Sequence, residues 1–177
     1  SEQAQQSYAR AMEALAAQMT YTDQQFGRIL NHLETIGELE NTLVIVLSDN
    51  GASAEGGLHG TFNESLFFNS RQATVEQNLH YFDRWGGADT YPHVPVGWGI
   101  AGNTPFRYYK QTAYEGGTRV PLIMTWPQGI QPAGEIRDQY QQYFQALTYR
   151  SCRDPRAGIA YRVSIGYTSR SPLRREE

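Results

Sequence analysis

Apolar positions along the chain follow two patterns, one typical of an amphipathic helix and one typical of buried strands. Residues 7–36 repeat apolar side chains at spacings of three and four, which predicts one long helix packed on the core by its apolar face. Gly37 follows the last apolar residue and suits a left-handed helix cap. Residues 42–47 and 120–126 are short apolar runs, which favour strands buried on both faces of a parallel sheet. This helix-then-strand order predicts a doubly wound α/β fold.

Between the two predicted strands, residues 51–118 lack a clear period and are rich in glycine, asparagine and aromatic side chains. A structureless segment of that length in a compact domain is usually functional, or else it argues against the assigned elements. We therefore expect a long active-site loop insertion with some short helix around residues 70–85. We expect solvated or structural roles for His59, His80 and His93, because none has a second histidine one helical turn away.

The first predicted strand ends in a polar pair, Asp49 and Asn50, followed by Gly51. In open α/β sheets ligands bind beyond the carboxyl ends of the strands, so this pair lies where a rigid scaffold presents ligands. A carboxylate beside a carboxamide offers hard oxygen atoms, which suit Ca²⁺ or Mg²⁺. The pattern therefore makes Asp49 and Asn50 candidate metal ligands, and the alternative is an Asn-Gly turn that closes the strand.

Lys110 is the only lysine among the 177 residues, and it stands beside aromatic residues shortly before a Glu-Gly-Gly turn. An ammonium is a compact point charge that suits an anionic ester oxygen or a developing leaving-group charge. Lys110 is therefore a candidate for substrate binding and catalysis. The alternative is a surface lysine whose stem covers neighbouring aromatic faces.

Three separate stretches carry a resemblance to a known family. Residues 43–51, 103–110 and 115–121 occur in an order and spacing that resembles the type I sulfatases, or arylsulfatases, of the alkaline-phosphatase-like superfamily. The resemblance extends over residues 7–140 and includes the long helix before the first strand. It implies an α/β fold built as part of a doubly wound, mostly parallel sheet with a long loop insertion.

The resemblance also implies an activity and a few site residues. The family reaction is hydrolysis of a sulfate monoester to an alcohol or phenol plus sulfate, so the expected partner is a sulfate ester small molecule or a sulfated glycan. Carried over by position, Asp49 and Asn50 would be two ligands of a divalent cation, usually calcium, with magnesium as the other candidate. Lys110 would contact the sulfate group and its bridging oxygen.

The resemblance is incomplete, because the family's nucleophile is a formylglycine made from a Cys/Ser-x-Pro-x-Arg motif upstream of the metal-binding pair. Here the only cysteine, Cys152, has proline at the third following position and lies downstream of that pair, so we do not expect it to be the nucleophile. We expect residues 1–143 to be the C-terminal-side part of a sulfatase catalytic domain, with the formylglycine and further metal ligands in an upstream half. The chain alone would then show little turnover and weak or no metal binding.

Charge is distributed unevenly, although the net formal charge is only −3. Residues 1–143 carry 8 Lys and Arg against 15 Asp and Glu, a net −7, whereas residues 144–177 carry 7 against 3, a net +4. Together with the loss of any period, this change predicts a divergent basic tail, either frame-shifted in the source gene or disordered. The overall charge leaves no global electrostatic footprint for nucleic acid, and no run approaches the ~18 apolar residues of a membrane helix.

Two alternatives to sulfate ester hydrolysis stay open at this point. One is phosphomonoester or phosphodiester hydrolysis on the same scaffold, because one fold hosts many activities. The other is a catalytically inactive fragment or binding module that uses the aromatic loop of residues 62–98.

Overall fold

The computed structural model describes residues 1–130 and 134–136, and within them the chain is of mixed α/β class, as predicted. In chain order the elements are α1 (Glu2–Thr35), β1 (Val44–Leu47), α2 (Ser65–Phe68), α3 (Val75–His80), a 3₁₀ helix (Phe82–Arg84), α4 (Val96–Gly102), α5 (Glu115–Thr118) and β2 (Leu122–Thr125). None of the helices described is long and apolar enough to cross a membrane. The predicted basic tail of residues 144–177, which includes Cys152, lies outside the described residues.

The long helix predicted from the apolar spacing is confirmed as α1, which begins earlier than expected, at Glu2. The hydroxyl of Ser1 accepts the Ala4 N–H at 3.3 Å, which supplies one of the hydrogen bonds that a helix start otherwise lacks. At the other end, Gly37 adopts φ 75°, the left-handed conformation that favours glycine after a helix.

The apolar face of α1 is only partly covered, which corrects the expectation that all of it packs on the core. Among the described residues the covered part is the first half, where Ala11 is buried and the Arg10 guanidinium donates to the carbonyls of Phe82 and Trp85 at 3.1 and 3.3 Å. In the second half Met19 and Ile29 are 62% and 58% exposed. Periodicity identifies an apolar face but not the element that covers it.

The two strands pair antiparallel, with Val44 opposite Thr125 and Leu47 opposite Leu122. A doubly wound, mostly parallel sheet is therefore not what the described residues form. The expectation of strands buried on both faces is also wrong, because Val46 is 40% and Ile123 58% exposed on one face. A short apolar run carries no information about strand direction, and it cannot distinguish burial on one face from burial on two.

The covered face of this sheet holds the small core of the described chain. Leu122 and Met124 of β2 are buried there, and the neighbouring side chains packed on them are Leu43, Ile45, Leu47 and Ile130. The register supports this arrangement, since Ile45 lies opposite Met124 and Leu47 opposite Leu122. β1 is thereby fixed in position, and the polar pair that follows it begins from an anchored strand.

The region between the strands is ordered by short helices and buried polar anchors. α3 confirms the short helix expected around residues 70–85, and it starts with a capping box between Thr74 and Gln77. Asn78 in α3 is fully buried, where its side chain accepts the Phe62 N–H and donates to the carbonyls of His59 and Gly60. This side chain therefore fixes the loop that leads towards the candidate site described next.

Candidate active site

The turn after β1 is tied closely to the start of α5. Gly51 donates its N–H to the carbonyl of Gly117 at 3.1 Å, and a Cβ at Gly51 would lie 1.7 Å from the Gly116 carbonyl oxygen. Only glycine fits such an approach of two backbones. The Asn-Gly and Glu-Gly-Gly patterns of the sequence are therefore two sides of one contact.

Asn103 joins this turn to the loop that carries Lys110. It is 9% exposed, and its side-chain oxygen accepts the Ala52 N–H at 2.7 Å. Its amide donates to the carbonyls of Gly99 at 2.9 Å and Tyr108 at 3.1 Å. The Lys110 N–H in turn donates to the Ala52 carbonyl at 3.0 Å, so the residues just after Asn50 and the Lys110 loop form one hydrogen-bonded unit.

The backbone on both sides of Lys110 is strained. Tyr108 and Gln111 have φ of 65° and 71°, in the left-handed region that residues with a Cβ rarely adopt. Such conformations persist where the surroundings determine them, and they concentrate at functional sites. The surroundings here include α5, since Gly116 packs against the carbonyls of Arg107 and Tyr108 and donates its N–H to the first of them at 2.9 Å.

The Lys110 ammonium lies 3.0 Å from a carboxylate oxygen of Glu55. The two side chains are 35% and 10% exposed, so this ion pair is largely shielded on the Glu55 side. The Glu55 carboxylate also accepts the Ser53 hydroxyl at 2.9 Å and the Gln111 amide at 2.9 Å. Burial alone would raise the pKa of Glu55, but the hydrogen bonds from Lys110 and Ser53 and the Lys110 charge together hold it below its ordinary value.

Lys110 and Glu55 open onto a cavity of about 820 Å³ between α1 and the loop region. Its walls include the buried Trp85, and Tyr91 and His93 from the stretch before α4. Glu64 also lines it, and its charge and hydrogen bond raise the pKa of Tyr91 above the ordinary value. The cavity wall thus combines two cations, Lys110 and Arg10, with the three carboxylates of Glu13, Glu55 and Glu64, an imidazole and aromatic surface.

The chain matches the family named Sulfatase over residues 1–148. The chain belongs to the sulfatase family. An uncharacterized sulfatase from Schizosaccharomyces pombe is 35% identical over 124 residues, which are 70% of this chain and 21% of that protein. An arylsulfatase from Klebsiella aerogenes is 28% identical over 134 residues, or 75% of this chain and 27% of that protein.

A third relative, an N-acetylgalactosamine-6-O-sulfatase from Bacteroides thetaiotaomicron, is 31% identical over 110 residues, 62% of this chain and 16% of that protein. The chain therefore spans between 16% and 27% of the length of these three relatives. No solved structure gives a significant match. The resemblance to the sulfatases, drawn from motif order and spacing, is confirmed at the level of the family.

The sulfatase motifs meet in space, but the predicted site residues do not all share the cavity. Lys110 lines it, whereas Asp49 and Asn50 lie outside its walls at the end of β1. Asp49 is exposed, and Asn50 is half-buried with its amide donating to the Gly51 carbonyl at 2.9 Å. Two residues of backbone separate Asn50 from the Ser53 that borders the cavity.

Asp49 and Asn50 have oxygen atoms available for a hard cation. Among the described residues the Asp49 carboxylate has no hydrogen-bond or ion-pair partner, and the Asn50 amide bond leaves its side-chain oxygen unbonded. A carboxylate and a carboxamide oxygen are the donor types that calcium and magnesium prefer. The pair therefore fits the kind of metal that the family implies.

Sequence reasoning missed Glu55, Glu64 and His93 as members of one cluster. Their ligand-type atoms all lie within 4.8 Å of one another, although the residues are up to 38 positions apart in the chain. His93 does behave as the structural histidine that was expected, with its Nδ1 3.1 Å from the Gly56 nitrogen and 3.0 Å from the Val94 carbonyl oxygen. An antiparallel bridge between Thr61 and His93 and a parallel bridge between Asn63 and Tyr91 bring these stretches together, and no local pattern predicts them.

Proposed function

We propose that the protein hydrolyses sulfate monoesters to an alcohol or phenol plus sulfate, and that this chain contributes Lys110, Asp49 and Asn50 to the site. The observation that carries this proposal is the position of Lys110. The sole lysine of the chain stands at a cavity wall, hydrogen-bonded through its backbone to the segment that follows the Asp-Asn pair. Family membership supplies the reaction class.

Lys110 would contact the sulfate group and the bridging oxygen. Its ammonium has three N–H donors, of which Glu55 occupies one. The other two donors remain for sulfate oxygens, and a fixed positive charge there offsets the charge that builds on the leaving oxygen. Because the site is partly shielded from water, that charge acts more strongly than it would on an open surface.

Asp49 and Asn50 would hold the divalent cation, calcium or magnesium. When bound, such an ion neutralises sulfate oxygens and helps to orient the ester. Calcium takes six to eight oxygen ligands, so two side chains from one strand end make a weak site by themselves. No residue of the sequence stands in a formylglycine motif, so the nucleophile would come from residues outside these 177.

The cavity gives the proposal a substrate class. Trp85 and Tyr91 offer aromatic surface, and Glu64 and His93 offer polar groups that can bind hydroxyls. Such a wall suits an aryl group or a sugar ring, and relatives named as sugar sulfatases, such as the N-acetylgalactosamine-6-O-sulfatase, support the second. We therefore propose a sulfated phenol or a sulfated glycan as the substrate.

The exposed apolar face of the two-stranded sheet supports a further part of the proposal. Val46 and Ile123 on that face are the kind of side chain that another layer covers in a larger α/β sheet. The doubly wound sheet of the family would then include β1 and β2 as one portion, with Asp49 at a strand end as in other α/β sites.

The test is hydrolysis of 4-nitrophenyl sulfate with calcium present, by this chain and by the complete protein in which it occurs. In the active preparation, Lys110→Met should lower kcat by about 100-fold or more, the size of effect seen when one transition-state donor is removed. Arg84→Met is the matched control, because Arg84 also forms a short ion pair, with Asp89 at 2.8 Å, but is not part of the cavity wall.

Three results would contradict the proposal. Faster hydrolysis of 4-nitrophenyl phosphate than of the sulfate would favour the phosphoester alternative. Equal activity of Lys110→Met and Arg84→Met would remove Lys110 from the mechanism. Absence of activity with every ester tested would favour the binding-module alternative.

A further inference from the structure

We propose that Glu55 is a positioning residue that aims the ammonium of Lys110 into the cavity, with Ser53 and Gln111 fixing the Glu55 carboxylate. The inference rests on the proposed role of Lys110 and adds to it a residue that neither the motifs nor the family match assigns. We call Ser53, Glu55 and Gln111 the clamp.

Both oxygens of Glu55 are used in the clamp. One accepts from Lys110 at 3.0 Å and from the Ser53 hydroxyl at 2.9 Å, and the other accepts from the Gln111 amide at 2.9 Å. The Ser53 hydroxyl also accepts the Glu55 N–H at 3.2 Å, which closes a local ring of hydrogen bonds. The carboxylate is therefore held from two sides before any substrate binds.

Lys110 is held at both of its ends by the same short segment. Its backbone N–H donates to the carbonyl of Ala52, and its ammonium pairs with Glu55, three residues further on. A lysine stem is long and flexible, so a free Lys110 would sample many rotamers. Fixing the ammonium beforehand removes that ordering cost from substrate binding and from the transition state.

The charge of Glu55 suits this role. A partly buried ammonium needs a counter-charge, and the 10% exposed carboxylate of Glu55 provides it while occupying a single N–H donor. The lowered pKa of Glu55 keeps that charge in place at neutral pH. A carboxylate oxygen of Glu64 lies within 4.8 Å of one of Glu55, so its negative charge adds to the field around Glu55, but among the described contacts Glu64 has none with Lys110.

The alternative use of this cluster is a cation site formed by Glu55, Glu64 and His93. Their atoms lie close enough to share an ion. However, a cation there would compete with the Lys110 ammonium for Glu55, whose two oxygens already accept three hydrogen bonds. We therefore assign Glu55 to Lys110, and the test below distinguishes the two uses.

The test uses the fact that Lys110 carries the only side-chain amine in the sequence. Acetylation by an N-hydroxysuccinimide ester, followed by mass spectrometry, therefore reports on one side chain. We expect Glu55→Gln to raise the acetylation rate of Lys110 about fivefold or more, since the variant keeps the shape but loses the charge-assisted hydrogen bond. Glu64→Gln is the matched control in the same cavity and should leave that rate within about twofold.

Two further variants test the inference if Glu55→Gln does not fold. Ser53→Ala removes one donor of the clamp and should raise the rate by a smaller factor, whereas Glu55→Asp should restore part of the protection. Equal rates in wild type and Glu55→Gln would overturn the inference. Faster acetylation of wild type on addition of millimolar Mn²⁺ or Zn²⁺ would also overturn it, because the ion would then have displaced Lys110.

Kinetics in the complete protein test the positioning role itself. If Glu55 places Lys110 against the leaving oxygen, Glu55→Gln should lower kcat more for phenyl sulfate than for 4-nitrophenyl sulfate, whose leaving group needs less help. A variant that had only lost stability would slow both esters equally, which would overturn the role. Absence of hydrolysis by wild type would contradict the proposed function instead, and the acetylation rates would still report on the clamp.

Discussion

Replacing Asn103 with alanine should destabilise the protein by several kcal/mol, because it removes the side chain that connects the turn after β1 to the loop that carries Lys110. The side chain is 9% exposed and makes four hydrogen bonds of 2.7–3.3 Å to the backbone of Ala52, Gly99 and Tyr108. Each such bond contributes about 1 kcal/mol, and a buried partner left without one costs about 1–3 kcal/mol. We therefore expect Asn103→Ala to lower the free energy of unfolding by about 3 kcal/mol, a large part of the stability of a small domain.

The assay is urea unfolding followed by tryptophan fluorescence, with Asn69→Ala as the matched control. Asn69 also donates from its side chain to a backbone carbonyl, that of Ser65 at 2.7 Å, but the bond is exposed, so water can replace it. The control should lose no more than about 0.5 kcal/mol. If the two variants lose the same free energy, Asn103 is not the link that its geometry indicates, and the coupling between the turn after β1 and the Lys110 loop must be sought elsewhere.

Three further predictions concern other residues. Gly51→Ala should lower the melting temperature by at least 5 °C, or prevent folding, because the new Cβ would lie about 1.7 Å from the Gly116 carbonyl oxygen. In the control Gly97→Ala the new Cβ meets nothing within 4 Å, so the melting temperature should change by less than about 3 °C. The pKa of Glu55 is lowered in the folded protein, so the stability that Glu55 contributes should be present above its ordinary pKa of 4.5 and be lost as pH falls below that value. The difference in unfolding free energy between wild type and Glu55→Gln should therefore shrink between about pH 6 and pH 3. A constant difference over that range would contradict this prediction. Calorimetric titration of this chain with calcium should give an affinity weaker than about micromolar, reduced further in Asp49→Asn, and a micromolar or tighter site would show that the chain holds more ligands than Asp49 and Asn50.

The long-range parts of the fold were the parts that the sequence could not determine. Local signals were sufficient for α1, for its glycine cap and for the short helix α3, because spacing and capping residues decide those features within one element. The antiparallel pairing of β1 with β2 was not predicted, because the strands are about 75 residues apart and their apolar runs would suit either direction. The exposed second half of α1 likewise depends on what packs against it, which periodicity does not record.

For the candidate site, too, local sequence signals identified some residues, whereas residues that depend on long-range contacts were missed. Motif order and spacing led correctly to the sulfatase family, and they singled out Lys110, Asp49 and Asn50, whose roles stay predictions. Glu55 was missed because nothing near it in the sequence marks a functional carboxylate, and its partners Lys110 and Gln111 lie 55 and 56 residues away. A glutamate in a glycine-rich stretch is usually exposed, so only the contacts distinguish this one.

The contacts also explain why three separate motifs have to occur together. Residues 51–55 touch all of them: Gly51 donates to Gly117, Ala52 bonds to Asn103 and Lys110, and Glu55 pairs with the Lys110 ammonium. The segment continues directly from Asp49 and Asn50, so any shift of this proposed metal-binding pair would carry the Lys110 loop with it. A displacement of about 1 Å at a reacting centre can lower the rate about 100-fold. A lysine on an independent loop could be displaced by that much relative to Asp49 and Asn50. Because one five-residue segment connects to both groups, the distance between the proposed cation site and the ammonium stays constant, and this is the physical reason we give for the co-occurrence of the motifs.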